Sequence, residues 1–264
     1  MSLGTVLKQV LRDFAELFES NKARTWFLLS SATVLQAAFW YLATPGPALL
    51  RFLPRTLSAA ADGISWTVAT LLLAPALLQL LTGGNLRDLG LRLGDARFGL
   101  RALLVSALVA VPLIALTSGQ ASGLANMYPW AGPVVGTSVF ALLAWALLYS
   151  AYYLAFEFFY RGFLLKTFAD SFGTTQAIWL QAMAATLIHL GKPLPEALAA
   201  FPASLLFGVI AVRSRSILYP AAIHLVVGLT LDIAILARQD LLFQGSLLQG
   251  SLFHGLLAQI TLLP

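Results

Sequence analysis

The sequence alternates between long apolar stretches and short polar segments. A helix needs about 20 apolar residues to cross a bilayer, and eight stretches of the chain meet or approach that length. They cover about 25–44, 63–82, 99–118, 135–168, 174–190, 195–212, 217–237 and 243–263. The pattern therefore predicts an all-α fold, a polytopic transmembrane helical bundle with about eight spans.

The first 24 residues follow a different pattern, in which apolar residues recur at helical spacing. These are Leu3, Val6, Leu7, Val10, Leu11, Phe14, Leu17 and Phe18. Charged residues, among them Lys8, Arg12 and Glu16, fall on the other side. This is typical of an amphipathic helix on a membrane surface, and docking against the protein's own spans fits equally well. We expect residues 1–24 to form such a helix rather than a cleaved signal peptide, and 25–264 to form one transmembrane domain.

Composition supports a membrane protein and excludes several function classes. Of the 264 residues, 59% are hydrophobic and only 10% are charged, whereas soluble domains carry about 25% charged residues. The net charge of +5 does not indicate a nucleic-acid partner, because the basic residues stand singly between apolar segments. The chain has no cysteine, so it forms neither a disulfide nor a thiolate metal site.

The distribution of lysine and arginine predicts the orientation in the membrane. If the N-terminus is cytoplasmic, the inner side holds Lys8, Arg12, Lys22, Arg24, Arg87, Arg92, Arg97, Arg101, Lys166, Arg213 and Arg215, and the outer side holds Arg51, Arg55, Lys192 and Arg238. Basic residues favour cytoplasmic loops. We therefore expect both termini to be cytoplasmic.

One polar motif interrupts the apolar sequence, Phe156-Glu-Phe-Phe-Tyr-Arg-Gly162. A charge at bilayer depth costs about 3 kcal/mol or more, so a carboxylate and a guanidinium there point to a specific role. Glu157 and Arg161 are four residues apart, which places them on one helix face where they can neutralise each other. A structural ion pair that joins two helices is the other explanation.

Further ionisable residues in the predicted spans are His189, His224, Asp232 and His254. A rise of 1.5 Å per residue places Glu157, His224 and His189 about 14, 12 and 22 Å from the inner ends of their helices. The estimate predicts one shared polar cluster that is reached from the cytoplasmic side, with His189 the poorest fit.

These residues resemble the motifs of the CAAX-processing and bacteriocin-processing (CPBP, or Abi) intramembrane proteases, which include the Rce1-like prenyl-protein proteases. That family has a Glu-Glu-x-x-x-Arg-Gly helix, a Phe-x-x-x-His helix and a His-x-x-x-Asn helix. Here Glu157, Arg161 and Gly162 match the first motif, His189 matches the second and His224 the third. The resemblance spans about 145–235.

Three motif positions differ from the family pattern. Phe156 stands where the family has its first Glu, Ala185 replaces the Phe of the second motif, and Gly228 replaces the Asn of the third. Asp232 lies one turn beyond Gly228 on the same helix. Either Glu157 replaces the missing base, or the chain has lost peptidase activity.

The resemblance implies catalytic residues Glu157, His189, His224 and Arg161. Glu157 and His189 would hold the water, and His224 would donate a hydrogen bond to the oxyanion. Asp232, with Gly228 and Phe156, would be a secondary or substrate-site residue. No cofactor is expected; zinc would need ligands from separate helices and is not favoured.

The neighbouring residues also have simpler interpretations. His189 at a helix end is typical of a histidine bonded to a backbone carbonyl, and Lys192 to Glu196 are typical of a turn and helix start. The aromatic run from Tyr152 to Tyr160 is interpreted as packing or lipid-facing surface.

The sequence therefore predicts an intramembrane endopeptidase that cleaves membrane-associated proteins or peptides near a terminus. The resemblance implies prenylated C-termini, bacteriocin precursors or sorting tails as substrates, and a multi-pass protein of the bacterial inner membrane. One alternative is an inactive relative that acts as an immunity or scaffold protein. A small transporter is the other, but no repeated half or paired broken helices support it.

Overall fold

The computed structural model describes residues 2–16, 23–43, 56–119 and 123–243. This part of the chain is all helical, as the sequence predicts, and it contains eight main helices, the first of which is the N-terminal amphipathic helix. They are α1 (Leu3–Glu16), α2 (Ala23–Leu42), α3 (Leu57–Leu81), α4 (Ala96–Thr117), α5 (Val139–Phe172), α6 (Thr174–Leu187), α7 (Leu194–Ser214) and α8 (Leu218–Arg238). Short 3-10 turns lie in the connections at Leu86–Leu89, Leu124–Asn126 and Pro133–Gly136.

Five of these helices, α3, α4, α5, α7 and α8, are long and apolar enough to cross a membrane. Helices α2 and α6 correspond to the predicted spans 25–44 and 174–190, but they are not among the five. With 14 residues, α6 is about 21 Å long and shorter than the hydrocarbon core of a bilayer. Residues 244–263 of the predicted span 243–263, with His254, lie outside the described residues, so the count of eight spans stays a prediction.

Helix α1 has the amphipathic character that the sequence predicts. Leu7, Val10, Leu11 and Phe14 on this helix are all exposed. Their apolar faces are therefore available to a lipid surface, and contact with a bilayer stays a prediction.

Side-chain caps fix the beginnings of three spanning helices. The side chains of Thr56, Asp95 and Ser138 accept hydrogen bonds from backbone N–H groups three residues further on, at 3.2, 3.0 and 3.1 Å. Such caps satisfy donors that have no partner inside the helix. The polar residue before each apolar run thus sets where α3, α4 and α5 begin.

The middle of α5 forms the centre of the bundle. Phe158, Phe159, Tyr160 and Phe163 are fully buried there. Helix α8 packs against α4 and α5, and α6 packs against α7 and the end of α5. The segment Phe158–Leu164 is a π-helical turn, a feature that is frequent at functional sites.

Candidate active site

The polar motif of α5 forms a fully buried ion pair. The Nε atom of Arg161 lies 3.1 Å from Oε2 of Glu157, and both side chains are almost completely excluded from solvent. The other carboxylate oxygen, Oε1, lies 2.7 Å from Nδ1 of His224 on α8. The structure therefore joins α5 and α8 through three of the residues that the sequence predicts for the site.

The contact with Glu157 fixes the tautomer of His224. A carboxylate accepts hydrogen bonds, so Nδ1 of His224 carries a proton and donates it to Glu157. In a neutral ring Nε2 is then the acceptor. The ring stacks on Tyr153, with centroids 4.2 Å apart, and meets Phe156 and Phe207 edge-on at 5.4 Å. Glu157 and three aromatic rings therefore fix the position of the His224 ring, and Nε2 is the ring nitrogen that is not bonded to Glu157.

His189 lies in the turn that follows α6. Its Nδ1 donates a hydrogen bond to the carbonyl oxygen of Ala185 at 2.8 Å. This contact is the helix-end bond that the simpler interpretation of His189 predicts. It also makes Nε2 the acceptor of a neutral ring, as in His224. The same bond therefore holds the helix end and orients the imidazole.

The two histidines share one pocket. Its lining residues are Met127, Tyr128, Trp130, Tyr149, Tyr152, Tyr153, Phe156, His189, Lys192, Glu196 and His224. About 70 Å³ of it is open to the centres of water molecules, which is room for more than one water. Glu157 does not belong to the lining that the described residues form.

The position of the pocket corrects one expectation. The sequence predicts access from the side of Lys166, the cytoplasmic side of the predicted topology. The pocket is lined instead by the N-terminal half of α5, by residues of segment 127–130, and by His189 and Lys192 in the turn after α6. All of these lie away from the end of α5 that carries Lys166. The reason is that His189 lies beyond the C-terminal end of α6, a full helix length from Thr174.

Phe156 occupies the pocket face that the first Glu of the family motif would occupy. Successive residues of a helix point about 100° apart, so Phe156 and Glu157 face different directions. Phe156 is 2% exposed, lines the pocket and lies 6.2 Å from His189 and 5.4 Å from His224 between ring centroids. The carboxylate of Glu157 thus contacts Nδ1 of His224 and does not line the pocket that the described residues form.

Gly228 replaces the motif Asn because a side chain has no room there. A Cβ atom at Gly228 would lie 2.2 Å from the hydroxyl oxygen of Tyr153. Tyr153 lines the pocket and stacks on His224. A tyrosine hydroxyl therefore occupies the space next to position 228 and places a donor beside the imidazole. The sequence places Tyr153 only in an aromatic run, but the glycine at the motif Asn position indicates that a large neighbour fills this space.

The pocket also contains a hydrogen-bonded group of Tyr128, Lys192 and Glu196 that the sequence does not predict as part of the site. Nζ of Lys192 donates to the hydroxyl of Tyr128 at 2.7 Å and to Oε1 of Glu196 at 3.1 Å, and the Tyr128 hydroxyl donates to Glu196 at 2.8 Å. Burial acts to lower the pKa of Lys192, but the charge of Glu196 outweighs it and raises the pKa. Glu196 lies in the first turn of α7, as the helix-start interpretation predicts.

Asp232 lies outside this pocket lining. It is fully buried, and Oδ2 accepts a hydrogen bond from Nε1 of Trp145 at 2.8 Å. That contact joins α8 to α5 one helical turn beyond Gly228. Its secondary role stays a prediction.

No group of three or more His, Cys, Asp and Glu side chains within the described ranges could hold a metal ion. Glu157, His224 and His189 supply at most one carboxylate and two imidazoles, and the carboxylate is already paired with Arg161. The expectation of a site without zinc stays a prediction.

The comparison with known families agrees with this geometry. Residues 138–230 match the family model described as "Rce1-like: Type II CAAX prenyl endopeptidase Rce1-like". The matched segment runs from the N-cap of α5 to the middle of α8, so it includes Glu157, His189 and His224. No curated protein and no solved structure matches the chain. Residues 138–230, about a third of the chain, thus match a protease family, the Rce1-like type II CAAX prenyl endopeptidases, which is the family that the motifs resemble.

Proposed function

We propose that the chain is an intramembrane endopeptidase that hydrolyses membrane-associated proteins or peptides near a terminus. The observation that carries this proposal is the 2.7 Å contact between Glu157 and His224, beside a pocket that also contains His189. A carboxylate on one imidazole nitrogen fixes the tautomer and stabilises the charged ring once the other nitrogen takes a proton. Hydrolases on several unrelated folds use this arrangement.

The first step of the mechanism is activation of water. A water in the pocket gives a proton to Nε2 of His224, and the resulting hydroxide attacks the carbonyl carbon of the peptide bond. Glu157 balances the imidazolium charge, while Arg161 pairs with that carboxylate and holds it in place. Nε2 of His189 accepts the water's second hydrogen and so orients it.

The second step is collapse of the tetrahedral intermediate. The oxyanion accepts a hydrogen bond from the Tyr153 hydroxyl, which occupies the space beside Gly228. His224 then returns its proton to the leaving nitrogen, the C–N bond breaks, and the products are a carboxylic acid and an amine. Each atom and charge is accounted for without a further reactant.

These roles differ from those that the family resemblance implies. Glu157 becomes the residue that orients the base, and His224 becomes the base. The reason is steric: Phe156 covers the pocket face of α5, and both oxygens of Glu157 are turned toward Arg161 and His224. A histidine can take this role because its pKa in water lies near neutrality.

The surroundings of the pocket favour an apolar substrate. A second pocket adjoins the first and shares Phe156 and His189 with it. It extends toward α2 and is lined there by Phe39 and Trp40. An apolar side chain or a lipid group next to the cleaved bond would fit this branch. Lipidated or sorting-tail peptides are therefore the proposed substrates.

The test compares the termini of membrane proteins in cells that produce the wild-type chain, E157Q or H224A. We expect new N-termini or C-termini with the wild type, and a loss of at least about 100-fold in both variants, because each removes part of one catalytic unit. The matched control is D170N, which removes the carboxylate of the exposed Lys166–Asp170 pair at the same spacing on α5. D170N should cleave like the wild type. Identical termini in wild-type and H224A cells would refute the proposal.

A second candidate function has its own support. Phe156 and Gly228 remove two polar groups from the site, which favours an inactive relative that acts as an immunity or scaffold protein. In that case H224A and E157Q would leave the biological function intact as long as the protein folds. Retention of a cellular phenotype in both variants decides for this candidate.

A further inference from the structure

A further pocket, separate from the two described above, lies at the opposite end of α5 from the two histidines and is lined by basic residues. Its charged lining residues are Asp88, Arg92, Arg161, Lys166 and Arg215, and we refer to it as the basic pocket. About 160 Å³ of it is open to the centres of water molecules. It therefore has room for a ligand group rather than for a single water.

The charges of the basic pocket leave an excess of one positive charge. Arg161 is paired with Glu157, and Lys166 is paired with Asp170. Arg92 and Arg215 are exposed, and neither has a carboxylate partner among the residues that the structure describes. Three carboxylates, those of Glu157, Asp170 and Asp88, oppose the four cations, so 4 − 3 = 1 positive charge remains. A singly charged anion would balance the site.

Arg161 supplies donors that the protein itself does not use. The residue is 4% exposed, and its Nη1 atom is buried without a hydrogen-bond partner in the described part of the chain. A guanidinium has five N–H donors, and a buried donor without a partner costs about 1–3 kcal/mol. An anion seated against Arg161 would relieve that cost. Phosphate oxygens match the planar donor geometry of arginine well.

The walls of the basic pocket are held in place by long-range hydrogen bonds. Nε of Arg92 donates to the carbonyl oxygen of Arg215 at 3.1 Å, and the backbone N–H of Ile217 donates to the carbonyl oxygen of Gly90 at 3.1 Å. These bonds join the segment after α3 to the turn between α7 and α8. The two unpaired arginines are therefore brought together by the fold, across 123 residues of sequence.

We propose that the basic pocket binds a phosphate group, that of an anionic lipid headgroup. The pocket lies at the ends of spanning helices, where headgroups are found, and on the side that the lysine and arginine distribution predicts to be cytoplasmic. Basic pockets between helices on that side are suited to phosphorylated headgroups. A phosphodiester carries the single negative charge that the site lacks. Free phosphate has the same chemistry and is the other source of the ligand.

The test uses the full-length protein in phosphatidylcholine nanodiscs with increasing fractions of phosphatidylglycerol. Bound lipid is counted by native mass spectrometry. The variant R92Q/R215N removes both unpaired charges; asparagine suits position 215 because the backbone there has φ of +55°. The matched control R97Q/R101Q removes two exposed arginines from α4, outside the pocket lining.

We expect the wild type and R97Q/R101Q to retain phosphatidylglycerol over phosphatidylcholine, and R92Q/R215N to bind it about tenfold or more weakly. Equal retention by R92Q/R215N and the wild type overturns the proposal, and so does an equal loss in the control. If the double variant does not fold, R92Q and R215N are compared singly with R97Q and R101Q. Inorganic phosphate is titrated as a competitor. Displacement of the lipid identifies free phosphate as a ligand, and no displacement identifies the headgroup.

Discussion

Tyr153 and Gly228 fit together so closely that the hydroxyl oxygen of Tyr153 would lie 2.2 Å from a Cβ atom at position 228. The tyrosine belongs to α5 and the glycine to α8, one helical turn from His224, so the two helices are in direct contact beside this histidine. The site therefore contains a tyrosine where an asparagine would need the same space. The proposed mechanism assigns the oxyanion contact to this tyrosine, which can be tested directly.

Replacing Tyr153 with phenylalanine should reduce hydrolysis by about 10²–10³-fold, the usual effect of losing one oxyanion donor. The ring and its stacking on His224 would remain, so the melting temperature should change little. The measurement is the rate of substrate cleavage, and kcat should fall more than KM rises. Tyr41 is exposed on α2 outside the pocket lining, and Y41F is the control. If Y153F and Y41F have the same rate, the hydroxyl of Tyr153 does not contact the oxyanion.

Replacing Phe156 with glutamate should increase hydrolysis. The new carboxylate would line the pocket next to both imidazoles and would offer a second base for the water. Burial of this carboxylate lowers stability, so the rate must be measured on folded protein. The control is F156Q, because glutamine has nearly the same shape as glutamate but carries no charge. Equal rates for F156E and F156Q would show that this face of the pocket does not contact the reacting water.

Removing only one member of the buried ion pair should destabilise the protein strongly. R161M leaves the Glu157 carboxylate buried without its cation, which costs about 3–5 kcal/mol. The double variant E157L/R161M removes both charges and should recover most of the loss. Melting temperatures in detergent test this order. The exposed pair Lys166–Asp170 is the control, because K166M should cost at most about 1 kcal/mol. A double variant less stable than R161M would contradict the argument.

Gly162 should not tolerate even an alanine. A Cβ atom there would lie 2.6 Å from the carbonyl oxygen of Leu89, a backbone atom that has no easy way to move. We expect G162A to lower the stability by about 1–3 kcal/mol, the usual cost of overpacking, and to displace the segment that forms one wall of the basic pocket. At Gly119 no atom of the described residues lies within 4 Å of a Cβ position, so G119A is the control. A melting temperature of G162A equal to that of G119A would refute this explanation of the motif glycine.

The sequence predicts the helices well because apolar length and capping residues are local properties. The boundaries of α4 and α8 agree closely with the spans 99–118 and 217–237, and α5 continues past Arg161 as expected. The continuation could be predicted since no glycine-rich or proline-containing segment interrupts Gly162 to Phe172. Local sequence thus contains most of the information about the secondary structure.

The arrangement of the site was less predictable, because it depends on which way each side chain faces. Glu157 and Phe156 are neighbours in sequence, and only the packed helix shows which of them lines the pocket. Tyr153 belongs to an aromatic run that is typical of packing surface, and its role depends on a glycine 75 residues away on another helix. The predicted side of access was wrong because it followed the estimated depths of Glu157 and His224. His189 lies in the turn at the far end of α6 from Thr174, and the pocket is found on that side.

Arg161 takes part in two sites, because its guanidinium pairs with Glu157 and also lines the basic pocket. An anion that approaches this guanidinium competes with Glu157 for it. Anion binding and the contact between Arg161 and Glu157 are then coupled. The coupling free energy is the same in both directions, so an anion weakens the ion pair by as much as the ion pair weakens anion binding. The composition of the surrounding lipid would in this way act on the contact between Glu157 and His224, because Arg161 joins that contact to the basic pocket.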